Sequence, residues 1–163
     1  MEKRDRFLLV AINAKYIHSN LAVYSLAAYA RAAGIEAEFA EYTINHQMDV
    51  VLRDIYEKQP DVIGFSCYIW NREYVGKMIQ DFRKIMPTLP IWVGGPEAFY
   101  DAEGFLQEYS GTTGVMIGEG EETFRQLCGH YVNQEAALSE IAGIAFRKNV
   151  QAVERAENVA EDV

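Results

Sequence analysis

Near the middle of the chain, one stretch reads Asp61-Val62-Ile63-Gly64-Phe65-Ser66-Cys67-Tyr68-Ile69-Trp70-Asn71. It begins as a continuous apolar run, which is typical of a strand that is buried on both faces of a parallel sheet. From Ser66 onward the stretch turns to small and polar residues, which indicates that the carboxyl end of the strand opens onto a binding edge. We interpret it as the central strand of a parallel sheet, with Ser66 as the first residue of that edge.

Apolar strands and amphipathic helices alternate on both sides of the central strand. The other predicted strands are 7–12, 35–40, 91–93 and 114–117. Apolar residues at helical spacing predict helices at 21–33, around 48–55, around 75–82, at 102–109 and around 124–131. This order predicts an α/β protein with a doubly wound, five-stranded parallel sheet and right-handed crossovers. The expected architecture is Rossmann-like, with three α/β/α layers and the flavodoxin-like strand order 2-1-3-4-5.

Three local features refine this pattern. The strand at 35–40 alternates between apolar and charged residues, so we place it near the edge of the sheet with Phe39 on its apolar face. Asn45 is the predicted cap of the second helix. Residues 144–147 are predicted as an extra strand that a turn at Lys148-Asn149 joins to a returning strand, as in a hairpin.

Length, charge and cysteine content restrict the classes of function. The 163 residues suffice for one domain, and the net charge of -9 argues against nucleic acid as a partner, because phosphate binding needs a basic surface. The two cysteines, Cys67 and Cys128, form no CxxC or CxxxCxxC cluster. This chain alone therefore provides no ligand set for an iron–sulfur cluster or a structural zinc ion, and we predict no metal site in it.

The N-terminal sequence indicates where the protein resides. Met1 to Arg6 are mostly charged and lead directly into a strand, so we see no signal peptide. The sequence also lacks a run of about 18 apolar residues, which a membrane-spanning helix would need. We expect a cytoplasmic protein with no membrane partner, in which both cysteines are reduced.

Four loops are expected at the binding edge of the sheet, since ligands of doubly wound proteins bind at the carboxyl ends of the strands. They are 13–20, 66–71, 94–99 and 118–122. The first contains neither GxGxxG nor GxxxxGK[ST], so the dinucleotide and P-loop fingerprints are missing. The acidic residues of a response regulator and the hydroxyl-rich phosphate cradle of a flavodoxin are missing as well.

What remains is a small hydroxyl residue after one strand and a double glycine after the next. Ser66 can form a hydrogen bond with a polar atom of a ligand beside the strand. Gly94 and Gly95 lack side chains, so a bulky group can lie directly on their backbone. Together these residues predict a slot that runs down between the strands and accepts the long tail of a ligand.

These strand-end residues resemble those of a known protein family. Ser66 with Gly94-Gly95 is similar to the cobalamin-binding domain. The segments Val93-Gly94-Gly95-Pro96 and Ile117-Gly118-Glu119-Gly120-Glu121 resemble, more narrowly, the N-terminal domain of cobalamin-dependent radical SAM enzymes. The resemblance extends over roughly residues 6 to 147.

The resemblance implies a binding site for cobalamin. In that family the dimethylbenzimidazole tail enters the sheet near the serine and the double glycine, and the corrin ring lies over the carboxyl edge. The cofactor-binding residues it implies here are Asn13, Tyr16, His18, Ser66, Tyr68, Gly94, Gly95, Pro96, Glu119 and Gly120. Many members carry Asp-x-His-x-x-Gly after the first strand, but Asn13, Lys15 and His18 occupy those three places here. The histidine that ligates cobalt in those members is therefore absent at its usual position.

The resemblance also implies a second domain. A radical SAM domain with S-adenosylmethionine and a 4Fe-4S cluster would follow, so we expect residues 1–147 to be the cobalamin-binding domain and 148–163 a hairpin and linker. The implied activity of the whole protein is that of a methyltransferase or an oxidative cyclase-like oxidoreductase, with no catalytic residue in this chain. Two alternatives stay open: a cofactor-free, flavodoxin-like interaction or signalling domain, and a domain that binds a nucleotide or flavin.

Overall fold

The computed structural model describes residues 5–14, 21–118, 120–149 and 152–155, and these form one seven-stranded sheet with the order β2-β1-β3-β4-β5-β6-β7. The strands are β1 Phe7–Asn13, β2 Glu38–Thr43, β3 Val62–Ser66, β4 Ile91–Gly94, β5 Gly114–Met116, β6 Ile144–Asn149 and β7 Ala152–Arg155. Strands β1 to β5 are parallel. Strands β6 and β7 add an antiparallel hairpin beside β5. The predicted fold, strand order and C-terminal hairpin are therefore confirmed.

Helices cover both faces of the sheet and complete the three predicted layers. They are α1 Leu21–Ala32, α2 Met48–Lys58, α3 Arg72–Ile85, α4 Pro96–Phe99, α5 Ala102–Glu108 and α6 Glu121–Asn133, with a 3-10 turn at Leu138–Glu140. Helices α1 and α6 pack on one face of the sheet, and α2, α3 and α5 pack on the other. No helix in the described ranges combines the length and the apolar character that a membrane span requires.

The inner strands are apolar throughout because each of their faces meets a helical layer. In β1, Leu8 and Val10 face the α2/α3 layer, while Phe7 and Leu9 face the α1/α6 layer. All seven residues of β1 are buried. Parallel strands in the interior of a sheet therefore carry no polar face, and this is why their sequences show no alternation.

Strand β2 lies at the edge of the sheet, as predicted, but it begins three residues later than predicted. Its register with β1 runs from Leu8–Glu38 to Asn13–Thr43, so pairing with β1 determines where it begins and ends. Phe39, predicted on an apolar face, is 40% exposed. Ile35 and Ala37, which supply part of the alternation, are buried in the segment before β2 and do not belong to the strand.

Two further local predictions are wrong, and the structure adds one element. The cap of α2 is Gln47, whereas Asn45 lies in the preceding turn, where its N–H donates to the Thr43 hydroxyl. Lys148-Asn149 is the end of β6 rather than a turn, because pairing with β7 continues through Asn149. Helix α4 was not predicted; it is a single turn that begins at Pro96, a residue suited to the first position of a helix.

A glycine in the neighbouring strand makes room for the largest side chain of the core. Trp92 pairs with Gly64 on one side and with Gly114 on the other. Its indole is fully buried, and its Nε1 donates a 2.9 Å hydrogen bond to the Tyr131 hydroxyl. A Cβ atom at position 114 would stand 2.6 Å from Cη2 of Trp92, so the indole lies directly on the backbone of Gly114.

We expect Gly114→Ala to lower the free energy of unfolding by about 1–3 kcal/mol, because the buried Trp92 ring cannot move away from the new methyl group. Urea unfolding at neutral pH measures this change. Gly94→Ala, in the neighbouring strand, is the matched control, since its methyl group would meet only the flexible end of Met116, at 3.1 Å. Equal losses in the two variants would contradict this account of Gly114.

Candidate functional site

A slot opens at the carboxyl edge of the sheet, on the face that α1 and α6 cover. Ser66 ends β3 and pairs with Gly94, which ends β4. Met116 ends β5 and continues the same row, because the register pairs Trp92 with Gly114. Neighbouring strands lie about 4.8 Å apart, so the missing side chain of Gly94 leaves a notch one strand wide between Ser66 and Met116. The cavity at this notch has a volume of about 190 Å³.

The two consecutive glycines serve different purposes. A Cβ atom at Gly94 would project into the notch and stand 3.1 Å from Cε of Met116. Gly95 has a φ of +94°, and a Cβ atom there would stand 2.9 Å from the backbone nitrogen of Cys67. Gly94 therefore keeps the slot open, whereas Gly95 allows the chain to turn tightly against the loop that follows β3.

The structure brings six of the predicted site residues together in the lining of this one cavity: Ser66, Tyr68, Gly94, Gly95, Pro96 and Gly120. Asn13 lies at the end of β1, 6% exposed, and is not part of the lining. Tyr16, His18 and Glu119 lie outside the described residues.

Sequence reasoning missed the apolar walls of the slot. Helix α1 contributes Ala22 and Leu26, β1 contributes Leu9, and β5 contributes Met116. Leu26 is 8% exposed and also packs in the core beneath α1, so its polarity and spacing are those of a core residue. The signal that could have identified Met116 is its position, since it ends a strand beside the one that ends in Gly94.

A buried amide joins the strand ends beside the slot. The Nδ2 group of Asn71 donates hydrogen bonds to the backbone oxygen of Ile12, at 2.9 Å, and to that of Ser66, at 3.0 Å. Its Oδ1 accepts a 2.8 Å hydrogen bond from the N–H of Tyr68. Asn71 is 1% exposed, so these bonds form in the interior. One side chain thus connects β1, β3 and the loop after β3 at the point where the strand order reverses.

Two hydrogen bonds hold α1 against α6 on the face of the sheet where the slot opens. The Ser25 hydroxyl donates to Oε1 of Glu121 at 2.6 Å, and the Tyr29 hydroxyl donates to Oε2 of Glu122 at 2.9 Å. Hydrogen bonds from Arg125, Gln126 and Tyr29 lower the pKa of Glu122 to about 2, so this carboxylate stays charged and accepts these bonds down to low pH. The pairs fix α1, which carries Leu26, relative to α6 and to Gly120, which lines the slot directly before α6.

An arginine holds α4 and α5 on the other side of the slot. Arg72 begins α3 and donates to Glu97 of α4 at 3.0 Å and to Glu108 of α5 at 2.8 Å. Its guanidinium also lies 5.7 Å from the ring centroid of Phe105 and 5.9 Å from that of Tyr109. These contacts anchor α4, which places Pro96 in the lining of the slot.

Nothing in the described part of the chain forms a metal centre. The described residues contain no group of three or more His, Cys, Asp or Glu side chains that could hold a metal ion. Cys67 is fully buried beside the slot, and burial raises the pKa of its thiol to about 12. Burial raises the pKa of the Cys128 thiol as well, so both thiols are protonated at neutral pH.

Three large apolar side chains are exposed just after β3 and just after α4. Ile69 is 80% exposed, Trp70 is 48% exposed and Tyr100 is 89% exposed. The Tyr68 and Trp70 rings are stacked, with centroids 4.5 Å apart and planes 3° from parallel. We call Ile69, Trp70 and Tyr100 the apolar rim. Such a concentration of exposed apolar surface is typical of a binding face.

Comparison with known families and sequences gives concordant matches. The family model of the B12 binding domain matches residues 8–128. The chain is 26% identical over 95 residues to the cobalamin-dependent radical SAM methyltransferase TokK of Streptomyces tokunonensis, an alignment that covers 58% of this chain and 14% of that protein. A 2-(S-pantetheinyl)-carbapenam-3-carboxylate methyltransferase of Streptantibioticus cattleyicolor is 27% identical over 94 residues, again 58% of this chain and 14% of the relative. The matched region is thus a small part of either methyltransferase.

Solved structures with the same fold include two that concern cobalamin. The cobalamin-dependent S-adenosylmethionine radical enzyme OxsB, with aqua-cobalamin and S-adenosylmethionine bound, superposes with a TM-score of 0.77 over 99% of this chain and 23% of that chain, at 22% identity. A cobalamin-binding protein from Desulfitobacterium hafniense DCB-2 superposes with a TM-score of 0.59 over 78% of this chain and 60% of that chain, at 14% identity. At these identities the likeness establishes the fold.

We expect Asn71→Asp to lower the free energy of unfolding by about 2–4 kcal/mol at pH 7, because a carboxylate accepts from Tyr68 but cannot donate to the Ile12 and Ser66 oxygens. Urea unfolding measures this loss. Asn45→Asp, in an exposed turn, introduces the same charge and should change stability by less than about 0.5 kcal/mol. A loss in Asn71→Asp no larger than in this control would contradict the bridging role.

Glu122 should affect how the stability of the domain falls in acid. The pKa of Glu122 is lowered from an ordinary 4.5 to about 2, so its contribution to stability is complete above pH 4.5 and is lost as the pH falls toward 2. Glu122→Gln should therefore lower the unfolding temperature at pH 7 and flatten its decline between pH 4.5 and 2. Calorimetry at a series of pH values measures both effects, with Glu57→Gln on the exposed face of α2 as the control for the lost charge. An unchanged decline in Glu122→Gln would contradict the prediction.

Proposed function

The chain belongs to the B12-binding domain family, and from this membership we propose that the slot between β3 and β4 receives the nucleotide tail of cobalamin. Cobalamin is the ligand that the family model implies for this chain. The observation that carries the proposal for the slot is the notch at Gly94, into which a Cβ atom at that position would project. In this proposal Ser66 binds a polar atom of the tail, and the corrin ring lies over the carboxyl edge of the sheet.

The chemistry of the slot suits a flat, largely apolar group. Leu26 and Met116 provide apolar contact from α1 and β5, and Gly94 exposes the backbone between them. Ser66 is partly buried, so a bound tail would exclude water from a hydrogen bond to its hydroxyl. These groups are suited to binding and orienting a tail.

The remaining predicted contacts belong to the same proposal. Asn13 and the loop after β1, with Tyr16 and His18, and Glu119 in the loop after β5, are proposed to contact the corrin or its side chains. Their support is the resemblance to the family and their place in the sequence directly after two strands that end at the site. The lower face of the cobalt is proposed to lack a histidine at the usual position, because Lys15 occupies it.

The activity of a whole protein is proposed from its relatives, since the matched region spans 14% of each methyltransferase. We propose that this domain works with a radical SAM domain, which binds S-adenosylmethionine and a 4Fe-4S cluster, in a methyltransferase or a related oxidoreductase. Bound cobalamin would supply the methyl group to be transferred. With only Cys67 and Cys128, both buried, this chain contributes no cluster ligands and serves to position the cofactor. The hairpin β6–β7 is proposed to lead toward the second domain, and the working compartment to be the cytoplasm.

The apolar rim favours a second candidate function. Ile69 and Tyr100 are too exposed to contribute to the core of the domain. A cofactor-free interaction domain would use such a rim to bind a protein directly. Titration with hydroxocobalamin separates this candidate from cobalamin binding.

Titration with hydroxocobalamin tests the proposed function. The wild-type chain should retain the cofactor through a desalting column, with an absorbance spectrum typical of cobalamin whose lower base is detached from cobalt. Gly94→Val should abolish retention, because its side chain fills the notch. Gly111→Ala is the matched control: its methyl group would also meet a side-chain carbon at 3.1 Å, that of Ile79, but in the connection that enters β5 at the opposite edge of the sheet.

Retention by the wild-type and Gly111→Ala chains, but not by Gly94→Val, supports the slot. Equal retention by all three chains would place cobalamin elsewhere on the domain. If neither this chain nor a longer one with a radical SAM domain retains cobalamin, the proposal is wrong and the interaction domain is favoured. Circular dichroism of each variant establishes that the fold is intact before binding is compared.

A further inference from the structure

We propose that the slot discriminates between corrinoids by the polarity of their lower base, and that it prefers an apolar benzimidazole to a purine. This inference rests on the proposed function, because it assigns the base to the slot beside Gly94. It adds a specificity that membership of the family does not give. The residues that would determine it are Ser66, Leu26 and Met116.

The walls of the slot are mostly apolar. Leu9, Leu26 and Met116 form the apolar sides of the slot and are at most 8% exposed. Among the described lining residues none is charged, and only Ser66 and Tyr68 have polar side chains. Tyr68 lies beyond the end of β3, stacked on Trp70 at the rim, so Ser66 is the polar side chain within the notch.

A benzimidazole and a purine would bury different numbers of polar atoms in the slot. A benzimidazole attached to ribose has one free ring nitrogen, which accepts a single hydrogen bond. The hydroxyl of Ser66 can donate that bond. An adenine has further ring nitrogens and an exocyclic amine, and among the described wall side chains only the Tyr68 hydroxyl remains to pair with them. A buried polar group without a partner typically weakens binding by about 10- to 100-fold.

Met116 lies on the side of the notch opposite Ser66. The row Ser66–Gly94–Met116 places the hydroxyl on one side of the notch and the thioether on the other. A flat base above Gly94 would therefore have Ser66 at one edge and Met116 at the opposite edge. Methionine is flexible and adapts its shape to an apolar neighbour, but it is a poor hydrogen-bond partner for an amine. Met116 is thus the residue at which the polar edge of a purine would meet an apolar wall.

The test compares three corrinoids with the same corrin ring: cobalamin, the analogue with adenine as its lower base, and cobinamide, which has no lower base. Equilibrium binding to the wild-type chain is followed by visible absorbance. We expect the adenine analogue to bind about 10- to 100-fold more weakly than cobalamin. Cobinamide should also bind more weakly than cobalamin, since it leaves the slot without contacts.

Substitution of the wall gives a second, independent measurement. Met116→Gln introduces an amide that can pair with the polar edge of a purine, so the preference for cobalamin over the adenine analogue should fall by about tenfold. Met86→Gln, at the C-terminal end of α3 and therefore at the opposite edge of the sheet, is the matched control and should leave the ratio unchanged. Thermal unfolding establishes that both variants are folded. If Met116→Gln does not fold, the ratio of the wild-type affinities for cobalamin and the adenine analogue still tests the base preference.

The outcomes separate this inference from the function on which it rests. Equal affinity of the wild-type chain for cobalamin and the adenine analogue would overturn the base selectivity while leaving cobalamin binding intact. Equal affinity for cobalamin and cobinamide would show that the base lies outside the slot, which also overturns it. Failure to bind any of the three corrinoids would overturn the proposed function itself. A folded Met116→Gln chain with the wild-type ratio would remove Met116 from the proposal.

Discussion

The hydrogen bonds of the Asn71 amide set the geometry on which the site depends. In a doubly wound sheet the chain leaves β1 toward one face and β3 toward the other, so the two strand ends separate where the order reverses. Asn71 connects these ends through the Ile12 and Ser66 oxygens and orients the loop after β3 through the N–H of Tyr68. Because the amide is buried, no water can replace these bonds at low cost. Ser66 and the rim after it are thereby fixed relative to β1.

Once the strand ends are fixed, the slot follows from the size of the side chains in a single row. Ser66 and Met116 flank Gly94, and the absence of one Cβ atom between them creates the space. Gly95 then turns the chain against Cys67, so that Pro96 closes one side of the mouth. Another wall comes from α1, whose position the Tyr29–Glu122 hydrogen bond supports. Small local choices in sequence thus produce a cavity that no single element could form.

The fold could be predicted almost completely from the sequence, whereas the site could be predicted only in part. Buried strands such as β1 and β3 show themselves as apolar runs, but the bounds of β2 depend on pairing with β1, which no local pattern records. Ser66 and Gly94 were predictable because small residues at strand ends depart from the core pattern. Leu26 was not, because a side chain that lines a slot and one that packs in the core have the same polarity and spacing. Only the packing of α1 on the sheet tells them apart.

The slot and the apolar rim differ in a way that bears on how such a domain would share its work. The walls of the slot include Leu9, Leu26 and Met116, which the folded domain already buries. The rim is the opposite case, because Ile69 and Tyr100 remain largely exposed with the domain fully folded. Burying them would stabilise a complex by roughly 1.5–3 kcal/mol for each side chain. On the proposed function, the corrin ring and a second domain would provide this burial. The domain would therefore select its corrinoid through the slot and acquire much of its affinity at the rim.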